Sequence, residues 1–205
     1  MKRLIYQATF ALIGILFSPD SSAQKPQSIE NIMAFSRLYG YVRYFYPGDE
    51  AAAIDWNKFV IYGIQLAIKS QNNSDLLRDL KDIFLPIVPT LQLVRENDSV
   101  NFDKGPITPE FRKGYKTIAW QHVGVGLHYN NIYQSERTNR PFSDIHDSII
   151  RKSHKYLFKA YPKVGEYIQK NIGRGLKAVF PLALYGDLNK TYPAADANMI
   201  KVLKE

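Results

Sequence analysis

The sequence has 205 residues, with 27 lysines and arginines against 19 acidic residues, a formal net charge of +8 and no cysteine. Without cysteine the chain forms no disulfide and no thiolate metal site, so its stability has to come from packing. The basic residues are dispersed, with no block or stripe that would neutralise a phosphate backbone, and we therefore expect no nucleic-acid partner.

The first residues have the pattern of a cleavable signal peptide. A basic pair follows the initiating methionine, an apolar stretch runs from Leu4 to Phe17, and a group of small residues ends at Ala23. The apolar stretch is shorter than the ~20 residues that a membrane-spanning helix needs. We predict that residues 1–23 are removed, that the mature chain does not span a membrane, and that it is exported to the periplasm or the extracellular space.

Residues 24–86 have the periodicity of a helical subdomain. Ser28 is the expected N-cap of a first helix, which Pro47 and Gly48 end. Its apolar residues recur at steps of three and four and predict one buried, aromatic-rich stripe made of Ile32, Phe35, Leu38, Tyr39, Val42, Phe45 and Tyr46.

A second helix completes a helical hairpin, with Asp55 as its expected N-cap. Helical spacing predicts a buried stripe of Trp56, Phe59, Val60, Gly63, Ile64, Ala67 and Ile68. Glycine on such a stripe is unfavourable for the helix, so Gly63 predicts a close approach by the first helix. A third helix is expected to begin at Ser74 as N-cap and to end before Pro86.

Residues 87–193 have the pattern of a β-rich subdomain. We expect a short strand around Leu91 and Leu93, a long strand from Lys116 to Leu127, and a hairpin from Gly165 to Tyr185 that turns at residues 173–175.

Other parts of this half are less regular. Pro181 in the return strand of the hairpin predicts an edge position or a bulge, because proline donates no hydrogen bond to a ladder. Residues 130–162 are expected to form a long loop or short irregular strands, and residues 194–205 a linker or tail. The whole pattern predicts an α+β fold: a helical hairpin plus a third helix, followed by a mainly antiparallel β-rich part.

The motifs of known catalytic and binding sites are missing from the sequence. It has no Gly-x-Ser-x-Gly elbow, and Gly124-Val125-Gly126 lacks the third glycine of a dinucleotide loop. His122 and His128 lie roughly 20 Å apart on a straight strand, too far to share a metal ion. We therefore expect no catalytic residue, no cofactor and no metal ligand in this chain.

Three residues near the end of the first helix fall off its buried stripe: Tyr41, Arg43 and Tyr44. Tyrosine and arginine are favoured at the centres of protein interfaces. These residues are our candidate interface for a partner domain.

The sequence also resembles a known family. The stretches that carry the resemblance are Phe35–Pro47, Asp49–Ala52 and Asp55–Trp56, followed more loosely by Ala119–His122, Tyr133, Arg137–Arg140, Pro181–Tyr185 and Thr191–Pro193. They are similar to the N-terminal region of exported bacterial serine peptidases of the tail-specific (C-terminal-processing) and tricorn-like family. In that family a peptide-binding module and an α/β catalytic core follow this region.

The resemblance implies a domain that supports or gates a peptidase. No residue of this chain corresponds to the family's catalytic serine, base or oxyanion hole, so no catalytic role carries over. We expect a non-catalytic N-terminal domain of an exported serine peptidase, with the peptidase core or another protein domain as its partner. The alternative is a stand-alone periplasmic peptide- or glycan-binding module, and an enzyme active on its own is disfavoured.

Overall fold

Four helices open the part of the chain that the computed structural model describes, which comprises residues 26–124, 134–138 and 162–194. They are α1 (Gln27–Phe45), α2 (Asp49–Ala53), α3 (Trp56–Lys69) and α4 (Asn73–Phe84). The predicted first, second and third helices correspond to α1, α3 and α4, and α2 is a short helix that the periodicity did not indicate. The predicted signal peptide, residues 1–23, lies outside the described residues.

The close approach of α1 and α3 is confirmed. A Cβ atom placed on Gly63 would lie 2.1 Å from Cε2 of Phe35, so only glycine fits against that ring. Phe59 and Gly63 are buried on α3, whereas Ile68, which the spacing placed on the buried stripe, is 49% exposed. The stripe is therefore narrower than predicted at the end of the helix.

The helix caps agree only in part with the prediction. Asp55 caps α3 by accepting hydrogen bonds from the backbone of the next turn, as expected. Ser28 and Ser74 are not N-caps: α1 already begins at Gln27 after Pro26, and Asn72 caps α4 through its side-chain oxygen. Asn72 lies two residues before Ser74, and its side-chain oxygen accepts the backbone hydrogen bonds that a serine cap would accept, so α4 begins earlier than predicted.

A buried asparagine ties the two long helices together. Asn31 on α1 is fully buried, and its Nδ2 donates to Ala67 O (3.1 Å) and Ser70 O (3.0 Å) at the end of α3. These carbonyls have no partner within their own helix. Asn31 therefore supplies the cap that α3 lacks.

Three strands form an antiparallel sheet in the order β1-β5-β4, made of β1 (Gln92–Arg95), β4 (Tyr167–Gly173) and β5 (Leu176–Pro181). The predicted short strand is confirmed as β1, and the predicted hairpin with its turn at residues 173–175 is confirmed as the β4–β5 pair. Its return strand ends at Pro181 and not at Tyr185, because Ala183–Gly186 pairs in the second sheet. Arg174 and Gly175 connect the hairpin with φ values of 57° and 63°, the positive angles that a two-residue type I′ turn requires.

A second antiparallel sheet has the order β3-β2-β6-β7, with β2 (Lys116–Gly124), β3 (Gln134–Arg137), β6 (Ala183–Gly186) and β7 (Thr191–Tyr192). The predicted long strand is β2, whose described part ends at Gly124; residues 125–127 lie outside the described residues. Within the segment 130–162, β3 is a strand, and residues 130–133 and 139–161 also lie outside them, as does 195–205 of the predicted tail.

The sequence predicts an edge position or a bulge for Pro181, but β5 is the central strand of its sheet and its register with β4 is regular at Pro181. Leu182 N donates to Glu166 O on the β4 side, so alternation along the strand turns the nitrogen of Pro181 away from β4. On the opposite side β1 pairs only as far as Val179. Proline fits there because no strand needs its missing N–H group.

The core is shared between helices and strands. One cluster of buried apolar side chains includes Phe35 and Leu38 of α1, Leu80 of α4, Leu93 of β1 and Phe180 of β5. The α+β fold predicted from the sequence is therefore confirmed. In the described ranges, no helix combines the length and the apolar character needed to cross a bilayer.

Candidate interaction surface

The end of α1 carries an arginine held between two tyrosines. The guanidinium carbon of Arg43 lies 5.6 Å from the ring centroid of Tyr39 and 5.3 Å from that of Tyr44, and Arg43 donates a hydrogen bond to the Tyr39 hydroxyl. Cation–π contacts of this kind fix the direction of the guanidinium. Tyr44 is 41% exposed and Arg43 is half-buried beside it, so the two side chains form an ordered, partly exposed pair.

Tyr41 differs from the other two candidate interface residues. It is half-buried and packs against the apolar core cluster. Of the predicted surface of Tyr41, Arg43 and Tyr44, the structure thus keeps Arg43 and Tyr44 together on one partly exposed patch, whereas Tyr41 packs on the core.

The turn after α1 is fastened to the second sheet by an arginine. Arg137 of β3 donates from Nε to Pro47 O (2.8 Å) and from Nη2 to Asp49 Oδ1 (2.6 Å). Its side chain is mostly buried, and this burial lowers the pKa of Arg137, which a guanidinium tolerates without losing its charge. A buried arginine that bonds both a carbonyl and a carboxylate has a structural role.

Two further hydrogen bonds complete this junction. The other oxygen of Asp49 accepts from Thr191 N (2.6 Å) on β7, and Asp49 N donates to Thr191 Oγ1 (3.1 Å). Trp120 of β2 donates from Nε1 to Tyr46 O (2.9 Å). The turn from Tyr46 to Asp49 is therefore held by β2, β3 and β7 together, and we call it the junction.

Sequence reasoning did not find the junction. No local pattern pairs Asp49 with Arg137, which lies 88 residues away from it along the chain. Both residues belong to stretches that carry the family resemblance. That shared membership was the one signal in the sequence that linked them.

Aromatic contacts extend the junction into the helices. Trp56 at the start of α3 lies edge-on against Tyr39 (5.1 Å between ring centroids) and Phe59 (5.3 Å), and its Nε1 donates to Ala51 O (3.0 Å). Trp56 thus joins α1, α2 and α3, whereas the sequence predicted only its place on the buried stripe of the second helix.

Burial changes the ionisation of two groups near the junction. Tyr46 is fully buried, and this burial raises the pKa of its hydroxyl well above the usual range, so the phenol stays neutral. His122 on β2 packs against Phe45 with 4.6 Å between ring centroids. Desolvation lowers the pKa of His122, opposed by a hydrogen bond with the Tyr44 backbone.

The described residues offer no group of three or more histidine, cysteine or acidic side chains that could hold a metal ion. His122 contacts an aromatic ring, and the other histidines considered in the sequence, including His128, lie outside the described residues.

Comparison with known proteins yields no relative. No family model, no curated protein and no solved structure matches this chain. The resemblance to the peptidase family rests on the residues named above and stays a prediction.

Proposed function

We propose that this chain is the non-catalytic N-terminal domain of an exported serine peptidase of the tail-specific or tricorn-like family, and that it supports or gates the peptidase core. The single observation that carries this proposal is where the residues of the resemblance meet. Trp120, Arg137 and Thr191 come from separate stretches of the resemblance, and all three bond the Tyr46–Asp49 turn, which joins the end of the first stretch to the start of the second.

The hydrogen-bonding groups of the junction are directed at each other: Arg137 at Pro47 O and Asp49, and Asp49 at Thr191. Catalysis instead needs a nucleophile, a base and oxyanion donors directed at one vacant position. The junction therefore favours a scaffold over an active site.

The partner surface that we assign to this domain is the partly exposed patch of Arg43 and Tyr44. Arg43 is fixed by its two tyrosine neighbours before any partner arrives. A side chain that is already ordered loses less entropy on binding, which is one reason why such residues anchor interfaces. The peptidase core is the partner that the family resemblance implies.

An enzymatic assay tests the proposal. The catalytic core of a tail-specific serine peptidase from the same genome is assayed on a peptide substrate with and without purified residues 24–205. We expect the added domain to change kcat/KM of the core, and we expect residues 24–205 alone to cleave no casein and to take up no fluorophosphonate. An unchanged kcat/KM, or a stoichiometric label lost in one Ser→Ala variant, contradicts it.

Export is part of the same proposal. Mass spectrometry of the protein from its native host is expected to find Gln24 as the first residue. A product that retains Met1 contradicts export with cleavage.

A stand-alone binding module is the second candidate, and the exposed aromatic side chains favour it. Tyr62 on α3 is 49% exposed, close to the value for Tyr44. Aromatic side chains of this kind are common in recognition surfaces. Binding of a peptide or glycan array to residues 24–205, with no effect on the peptidase core, would favour this alternative.

A further inference from the structure

The solvent face of α1 has an unusual composition at its centre. Ser36, Arg37 and Tyr44 are exposed, and the turn between them contains Gly40. With about 3.6 residues per turn, Gly40 lies in the middle of this face. Arg37 lies about one turn before it and Arg43 about one turn after it.

Gly40 has no packing reason within the described residues. A Cβ atom placed on it would meet nothing within 4 Å, whereas one placed on Gly63 would meet the ring of Phe35. Glycine is the least favourable residue after proline inside a helix, and α1 continues for five residues beyond it. A flat site in the middle of an exposed helix face is what a closely approaching partner requires.

The two flanking arginines have no carboxylate partner among the described residues. Arg37 donates one hydrogen bond, from Nη1 to Ile172 O (3.1 Å), and Arg43 donates to the Tyr39 hydroxyl. By contrast Arg137 and Arg174 are both paired with acidic side chains. Arg37 and Arg43 thus present oriented positive charge with most of their N–H donors still available.

We propose that this face of α1, centred on Gly40 and flanked by Arg37, Arg43 and Tyr44, is the docking site for a carboxylate-bearing surface of the peptidase core. The proposal rests on the proposed function for the identity of the partner. It goes further in naming Arg37 and Gly40 and in stating the chemistry that the partner supplies.

Charge and shape together identify the occupant. The planar guanidinium group matches a carboxylate in two parallel hydrogen bonds, and Arg37 and Arg43 lie about one turn before and one turn after Gly40. Gly40 lets an acidic helix or strand of the partner approach the α1 backbone, and Tyr44 provides an aromatic anchor beside it. An anionic lipid headgroup would match the charge of the two arginines, but its binding does not require close approach to the helix backbone at Gly40.

The experiment compares variants in binding the catalytic core used above. Gly40→Gln fills the flat site with a good helix former, so folding is retained while close approach is lost. Arg43→Gln removes one fork, and Lys58→Gln removes an equal charge from the exposed face of α3 as a matched control. Fluorescence anisotropy gives Kd for each variant, and urea unfolding checks that each is folded.

We expect Gly40→Gln and Arg43→Gln each to raise Kd about tenfold, and Lys58→Gln to leave it unchanged. Raising NaCl from about 50 mM to about 300 mM should weaken the parent more than the Arg43→Gln variant.

The failures of the two proposals differ. If the core binds the parent and all variants equally, this docking site is wrong and the proposed function stands. If the core binds no variant and not the parent, both proposals fail. A third outcome is that the parent does not bind the core but binds vesicles with about 30% phosphatidylglycerol, and that Arg43→Gln does not bind these vesicles. This result would assign the face to a lipid surface and overturn the docking proposal.

Discussion

Gly63 on α3 faces Phe35 on α1 so closely that a Cβ atom would lie 2.1 Å from Cε2 of the ring, whereas the same atom on Gly40 of α1 would meet nothing within 4 Å. The two glycines occupy opposite environments in neighbouring helices. Among the residues that the structure describes, packing requires glycine at position 63 and not at position 40.

The substitution of each glycine by alanine therefore has an opposite effect on stability. Phe35 is fully buried among other rings, so Gly63→Ala is expected to destabilise the protein by ~1 to 2 kcal/mol despite the better helix propensity of alanine. Gly40→Ala is expected to stabilise it by ~0.5 to 1 kcal/mol. Urea denaturation of the two variants checks this, and shifts of the same sign would contradict it.

The junction gives a prediction about coupling between Arg137 and Asp49. Each single alanine variant leaves a mostly buried partner group without its bond, so each is expected to cost ~2 to 3 kcal/mol. The double variant should cost less than the sum, with a coupling of ~1 to 2 kcal/mol. A double-mutant cycle by urea denaturation measures it.

The pair of Arg78 and Asp75 is the control for that cycle, because the Arg78 side chain is 63% exposed and solvent screens its charge. We expect no measurable coupling there. Strictly additive effects for Arg137 and Asp49 would mean that the junction does not hold the turn.

The aromatic contacts of Trp56 predict a graded series of stability losses. Trp56→Ala removes contacts with Tyr39 and Phe59 and a hydrogen bond to Ala51 O, and we expect a cost of ~3 kcal/mol. Tyr41→Ala is expected to cost more than ~1 kcal/mol because Tyr41 packs on the core, whereas its place off the helical stripe predicted less. Arg43→Ala should stay within ~1 kcal/mol. Unfolding free energies measured by urea denaturation check this order; a small loss for Trp56→Ala together with an unfolded Arg43→Ala would contradict it.

His122 predicts a pH dependence of stability. Desolvation lowers its pKa in the folded protein below the ordinary 6.5, so the unfolded chain takes up the proton first as pH falls. The contribution of His122 is therefore complete above pH 6.5 and is lost as the pH falls below that value. Urea midpoints measured from about pH 7.5 to about pH 5 should fall less in His122→Gln than in the parent. An equal fall in both proteins would contradict this.

Local sequence patterns predicted most helices and strands of this fold, but they did not predict the contacts between residues far apart in the chain. The spacing of Phe59, Gly63 and Ala67 places α3 and its buried face correctly, because helical periodicity is a property of neighbouring residues. Asp55 is likewise recognisable as a cap. Pro181 was assigned to an edge because one strand's sequence does not reveal how far its neighbours extend.

The candidate site shows the same limit. Helical phase identifies Tyr44 as exposed, but it did not show that Arg43 is half-buried or that Tyr41 packs on the core. The bond between Arg137 and Asp49 spans 88 residues, and no local pattern predicts it. The sequence does not show whether Gly40 is required by packing; the structure shows that a Cβ atom there would meet no described residue within 4 Å.

The claim that this chain is a docking domain for a peptidase core is tested most directly by calorimetric titration of that core into purified residues 24–205. Interfaces between domains resemble transient protein–protein interfaces, so we expect a 1:1 complex with Kd of about 10 μM or tighter. No heat of binding at protein concentrations of about 100 μM, a concentration at which a complex of that affinity would be mostly formed, would contradict the claim.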